Sequence, residues 1–200
     1  MENDNLILSE DGKTLIGVKD KSITHVVIPE GVTTIGEKAF FWCSSLQSID
    51  IPDSVTTIWE SAFEAFASLQ SIEVSINNPN YTSIDGVLYS KDKRTLIQIP
   101  LGKGLKEFKI PNSVTTIEKG AFWGCESLQI IDIPDSVTTI GERAFNGCES
   151  LQDIDIPDSV TTIEESAFSC CKSLQDIDIP DSVTTIGEHA FSGCKSLQYI

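Results

Sequence analysis

PDSVTTIGERAFNGCESLQDIDI at residues 134–156 is followed without a gap by PDSVTTIEESAFSCCKSLQDIDI at residues 157–179, and this near-identity decides how the rest of the chain is read. The leading proline recurs as Pro29, Pro52, Pro111, Pro134, Pro157 and Pro180, at spacings of 23, 59, 23, 23 and 23 residues. Phe40, Phe63, Phe122, Phe145, Phe168 and Phe191 form a second column, each preceded by alanine. A unit of 23 residues cannot bury an apolar face by itself, so tandem copies must stack and share one continuous core. The expected fold is a repeat solenoid.

Side-chain alternation orients each coil. Ile154 and Ile156 share the inward face of a short strand while Asp153 and Asp155 point out. Pro157 ends that strand because it has no N–H for a ladder. The β-branched Ser-Val-Thr-Thr-Ile stretch reads as a second short strand, and Glu-x-Ala-Phe-x-x-Cys as a single helical or 3-10 turn. The spacing of 59 is two periods plus 13, which marks an insertion. Residues 87–99 alternate around a polar turn and read as a β-hairpin, preceded by the loop chemistry of Asn77-Asn-Pro-Asn. Leu8-Ser-Glu-Asp-Gly-Lys-Thr-Leu-Ile repeats the device near the N-terminus. The expected organisation is one solenoid over 1–200: a cap-like hairpin and first strand (1–28), repeats (29–76), a loop and hairpin insert (77–110), and four near-identical repeats, the last truncated (111–200).

The recurring Ile-Pro-Asp-Ser-Val-Thr-Thr-Ile-Gly-Glu-x-Ala-Phe-x-Gly-Cys-x-Ser-Leu, with Asn77-Asn-Pro-Asn-Tyr-Thr-Ser-Ile-Asp-Gly-Val-Leu-Tyr-Ser-Lys-Asp, resembles the BspA-like leucine-rich-repeat family of bacterial and protozoan surface antigens. The resemblance implies a right-handed leucine-rich-repeat coil of mostly short parallel strands. It also implies a place at the cell surface or in secretion, and adhesion to host matrix or cell-surface proteins. The start, Met1-Glu-Asn-Asp-Asn, lacks the basic and apolar regions of a signal peptide, so the residues themselves assign no compartment.

Composition narrows the partners. The chain carries 14 Lys+Arg against 30 Asp+Glu, a net charge of −16, which repels phosphate and anionic headgroups. Nucleic acid is excluded as a partner, and no apolar run is long enough for membrane insertion. Residues 111–200 hold four Lys+Arg and 15 Asp+Glu, so −11 of the charge lies in less than half of the chain. The outward strand positions carry it in columns: Asp50, Glu73, Asp132, Asp155 and Asp178 in one, Asp153 and Asp176 in the other. These seven carboxylates, with Trp42 and Trp123, are the candidate partner-binding residues of a concave acidic sheet.

Cys43, Cys125, Cys148, Cys171 and Cys194 form one column, with Phe66 taking the place of cysteine in the second repeat. At a coil corner they read as structural thiols, and stacked parallel side chains have the wrong direction for disulfides. No paired C-x-x-C spacing suits zinc. An EF-hand fails because Pro157 and Asp158 occupy its fifth and glycine positions. His25 and His189 are far apart in the chain, and no nucleophile or phosphate-binding motif accompanies them. No catalytic, metal or cofactor residue is assigned. The reading is a non-catalytic protein-binding scaffold of the adhesin type, using the acidic sheet and the hairpin inserts. The alternative is a structural spacer or self-assembling rod with no specific ligand, its C-terminus at Tyr199-Ile200 open to end-to-end association.

Overall fold

The computed structural model describes residues 5–60, 62, 63 and 67–199; Phe66 and Ile200 lie outside them. The chain divides into two compact units, one of residues 1–92 and 98–103, the other of 93–97 and 104–200. Both are built from stacked coils of short strands.

In the first unit, β1 (Leu6–Leu8) folds antiparallel onto β2 (Thr14–Val18). The row then continues in parallel through β4 (Thr34–Ile35) and β6 (Thr57–Ile58). On the other side of each coil β3 (His25–Val27), β5 (Ser48–Ile51) and β7 (Ser71–Val74) form a second parallel row. β8 (Tyr81–Ile84) and β9 (Val87–Ser90) make an antiparallel hairpin. Its turn is Asp85-Gly86, with φ of 49° and 74°, the left-handed pair that lets a two-residue turn match strand twist. A Cβ on Gly86 would lie 2.8 Å from the Ser71 Cβ, so close approach as well as conformation requires glycine there.

The second unit repeats the plan. β10 (Thr95–Gln98), β12 (Thr116–Ile117), β14 (Thr139–Ile140), β16 (Thr162–Ile163) and β18 (Thr185–Ile186) stack in parallel, Leu96 over Ile117 and then Ile over Ile. β11 (Glu107–Lys109), β13 (Ile130–Asp132), β15 (Asp153–Asp155) and β17 (Asp176–Asp178) form the second row. Burial follows the alternation: Ile154 and Ile156 are buried, while Asp153 and Asp155 are exposed. After the prolines the chain turns away from the ladder in both units, with Val55 N bonded to Pro52 O in one and Val160 N to Pro157 O in the other.

The structure refines two expectations. The Glu-x-Ala-Phe-x-x-Cys arcs are single turns closed by i→i+3 bonds, such as Ala144 N to Gly141 O and Cys148 N to Phe145 O, and they do not extend into helices; the 3-10 segment Leu101–Lys103 stands in the insert. The reason is a third ladder. Arg143, Phe145 and Gly147 donate their N–H groups to Glu165, Ala167 and Ser169 of the next coil at 2.8–2.9 Å, and a helix would turn those donors along its own axis. Holding them outward takes two left-handed residues per arc, such as Arg143 and Gly147 or Ser166 and Cys170. The second refinement is an added strand, β8, which the alternation around residues 87–99 does not reveal.

Cys170 occupies the left-handed position (φ 61°) that glycine fills in three sister arcs, at Gly124, Gly147 and Gly193. A non-glycine residue in that region is disfavoured by roughly 1–2 kcal/mol, partly offset by the larger chain entropy that glycine loses on folding. Cys170→Gly is therefore predicted to stabilise the second unit by about 1 kcal/mol. A urea midpoint that stays put or falls would show that the strain is relieved elsewhere.

Candidate interaction face

Strand register assembles the carboxylates. On β15 and β17, Asp153 pairs with Asp176 and Asp155 with Asp178. All four side chains are exposed, and none has an ion-pair partner among the described residues. At a strand spacing of ~4.8 Å, each like-charged neighbour pair repels by up to about 1 kcal/mol even in water. Exposed apolar side chains flank them in the same column. Ile130 (54% exposed) precedes Asp153 in register, and Tyr199 (72% exposed) bridges to Asp176.

Nearby cations are spent elsewhere. Lys109 reaches Asp132 on the neighbouring strand, so Asp132 is neutralised rather than part of the open group. Arg143 contacts Glu142 at 2.8 Å, Lys119 contacts Glu142 at 2.9 Å, and Lys172 contacts Glu149, all on or beside the arcs. In the first unit the register sets Asp50 beside Glu73.

Trp42 and Trp123 do not join this face. Both lie on the arcs rather than on the strand row, where Trp42 takes a left-handed position, is 74% exposed and packs on Phe41 at a ring distance of 4.7 Å. Trp123 is half-buried. That both depart from the repeat's columns is legible in the sequence, but the side of the coil they occupy is not.

Register also joins residues that the sequence holds apart. His25 Nδ1 lies 2.6 Å from Ser48 Oγ and Nε2 lies 3.7 Å from Asp50 Oδ2. A serine, a histidine and an aspartate thus meet on β3 and β5, a juxtaposition that a 23-residue offset conceals. Acyl transfer would further require preorganised oxyanion donors and shelter from water. These side chains stand on a strand row, with His25 and Asp50 nearly half exposed, so the trio is a surface hydrogen-bonding group.

The cysteine column turns inward. Cys148, Cys171 and Cys194 donate to the carbonyls of Phe122, Phe145 and Phe168 at 3.3, 3.2 and 3.1 Å. Cys43, Cys148 and Cys171 are fully buried, Cys125 and Cys194 partly so, and all are free thiols. Burial pushes the Cys125 thiol up to about 12 and raises Cys148 as well, while Cys171 is raised by its hydrogen bond with Cys194 and by burial. Thiols raised in this way hold little of the thiolate, the form that attacks or binds metal, at neutral pH, whereas the Cys171 hydrogen bond lowers Cys194. Among the described residues no three His, Cys, Asp or Glu side chains converge as a metal-holding group, and no helix is long and apolar enough to cross a membrane.

Solved structures share this architecture. A leucine-rich-repeat protein from Eubacterium ventriosum is 35% identical, with a TM-score of 0.80 over 88% of this chain and 47% of its own. A leucine-rich cell surface protein from Faecalibacterium prausnitzii is 36% identical, with a TM-score of 0.74 over 88% of this chain and 52% of its own. The pneumococcal vaccine antigen PcpA is 27% identical, with a TM-score of 0.78 over 88% of this chain and 50% of its own. The chain therefore spans about half the length of these relatives. A search of curated proteins returns no significant match. Residues 18–103 and 101–200 match the BspA type leucine rich repeat region in six copies. With the stacked coils, inward phenylalanine and cysteine columns and proline-ended strands all accounted for by that repeat, the chain belongs to the BspA-type leucine-rich-repeat family.

Proposed function

We propose that this chain is a protein-binding module of the adhesin type, displayed or secreted, whose second unit recognises a basic protein patch through Asp153, Asp155, Asp176 and Asp178. One observation carries the reading: four exposed carboxylates held in register with no neutralising cation among the described residues, and bordered by exposed Ile130 and Tyr199. Apolar side chains beside a charged cluster suit a protein surface, where hydrophobic contact supplies affinity and charge supplies steering. The relatives named as a cell surface protein and as a vaccine antigen support the same class. A spacer with no ligand would gain nothing from keeping like charges adjacent.

The test is a quadruple Asp→Asn variant, measured against a panel of basic and acidic extracellular proteins across a salt series. The best basic binder of the wild-type chain is predicted to lose about tenfold or more in affinity and most of its salt dependence. Because the change removes repulsion, the variant should be at least as stable as the parent, so lost binding will not reflect unfolding. Unchanged affinity in the variant would remove the face from the binding account.

A further inference from the structure

The first unit carries a groove where β3, β5 and β7 end. Pro29 and Pro52 stop the ladder, because neither can donate to a neighbouring strand. In the third coil Val74-Ser75 replaces the Ile-Pro pair, and Ser75 N instead bonds to Ile51 O at 2.9 Å. The coils therefore leave the strand row differently, and a cavity of about 410 Å³ opens between them. Pro29, Pro52 and Val74 line it as an apolar surface, while Glu30, Asp50 and Glu73 line it with carboxylates. Register sets Asp50 beside Glu73, and His25 lies 3.7 Å from Asp50. Glu30 and Glu73 have no cationic partner among the described residues. Next to Ser75, the side chain of Ile76 is 84% exposed. The wall is firm: Asn78, fully buried, donates to the Pro52 and Val55 carbonyls at 2.7 and 2.9 Å.

We infer that this groove docks a lysine- or arginine-bearing extended segment of a partner polypeptide. The inference rests on the reading of the chain as a protein-binding module, and places a second contact in the other unit. Charge complementarity selects the occupant. A long basic side chain buries an aliphatic stem and keeps its cation at a polar end, which matches an apolar floor bordered by three carboxylates. The volume lies within the ~300–1,000 Å³ of ordinary side-chain and small-ligand pockets. An acidic or phosphorylated segment would meet like charge, and a purely apolar one would leave the carboxylates to be desolvated without compensation.

The experiment uses the full chain, methyl-labelled, with the peptide acetyl-Ala-Lys-Ala-Lys-Ala-amide as probe and its norleucine counterpart as control. The lysine peptide is expected to shift the methyls of Val27, Ile51 and Val74, saturably, with roughly five- to tenfold weaker binding to the E30Q/E73Q double variant. The quadruple Asp→Asn variant of β15 and β17 should leave those shifts unchanged. Equal binding of the norleucine peptide to the wild-type chain would overturn the inference, whatever the fate of the double variant. So would calcium chloride producing the same methyl shifts when the lysine peptide does not. Lysine-peptide shifts confined to the methyls of β13, β15 and β17, and lost in the quadruple variant, would overturn the groove while leaving the acidic face intact. Binding of a basic protein panel that survives the quadruple variant but fails in E30Q/E73Q would instead favour the groove over that face.

Discussion

Phe145→Ala is expected to lower the unfolding free energy of the second unit by about 4–5 kcal/mol, near the top of the range for aromatic truncation in a core. Phe145 is fully buried, and its ring lies between Phe122 at 4.8 Å and Phe168 at 5.2 Å, with interplanar angles of 21° and 2°. Removing it empties the middle of a stack, strands both neighbours, and forfeits two ring contacts worth ~0.5–1.5 kcal/mol each beyond their area. Relaxation is limited because coils are tied on three sides by ladders, including the arc bond from Phe145 N to Ala167 O at 2.8 Å. Phe191→Ala, at a half-buried ring stacked on Phe168 at 5.6 Å, should cost about half as much. Urea unfolding followed by Trp123 fluorescence reports the second unit, while Trp42 and Trp59 report the first. Equal costs at Phe145 and Phe191 would show that the stack adds nothing to simple burial.

Asn78→Ala is expected to destabilise the first unit by about 3–5 kcal/mol, through polar groups rather than volume. The Asn78 amide donates to Pro52 O and Val55 O, and its oxygen accepts from Asn80 N at 3.0 Å and Tyr81 N at 2.9 Å. Alanine leaves three backbone groups, Val55 O, Asn80 N and Tyr81 N, without that partner beside a residue with no measurable exposure, while Pro52 O keeps its bond from Val55 N, and each shielded orphan costs ~1–3 kcal/mol before relaxation. Asn80→Ala supplies the contrast. Asn80 is exposed and its amide bonds to Thr56 O at 2.7 Å, so its loss should stay near 1 kcal/mol or below. Hydrogen exchange resolves the mechanism: Asn78→Ala should release the Tyr81 amide and the β8–β9 hairpin before the strand rows open. Similar protection in the two variants would mean that Pro79 and neighbouring packing hold the loop without the amide.

Asn78 also shows how far the sequence could be read. Asn77-Asn-Pro-Asn is legible as a loop from its composition, yet nothing local says which asparagine turns inward to hold the proline corner. The same limit applies to β8. Tyr81–Ile84 has a strand-like sequence, but the alternation in 87–99 does not extend to it, and the left-handed Asp85-Gly86 turn joins β9 to the strand before it. The arcs stop at the single turn that their Ala-Phe spacing fits, without extending into helices. Their N–H groups are claimed by the next coil, which only stacking can supply.

The carboxylates divide along the same line. That aspartates recur at outward positions follows from strand alternation and a fixed period. That Asp132 is neutralised while Asp153, Asp155, Asp176 and Asp178 are not depends on where Lys109, Lys119, Arg143 and Lys172 reach, residues displaced by a coil or an arc. The meeting of His25, Ser48 and Asp50, and the groove at Pro29, Pro52 and Val74, likewise exist only once neighbouring coils are in register.

By itself, then, the sequence determined the period, the inward Ile, Phe, Leu and Cys columns, the proline-ended strands and the family, because burial every second residue and repetition every 23 are properties of one chain segment compared with itself. The tertiary structure decided which polar groups are satisfied, which charges stay open and where cavities form. Those outcomes depend on distances of a few ångströms between side chains a full coil apart, and such distances are set by register and arc geometry that no local pattern encodes.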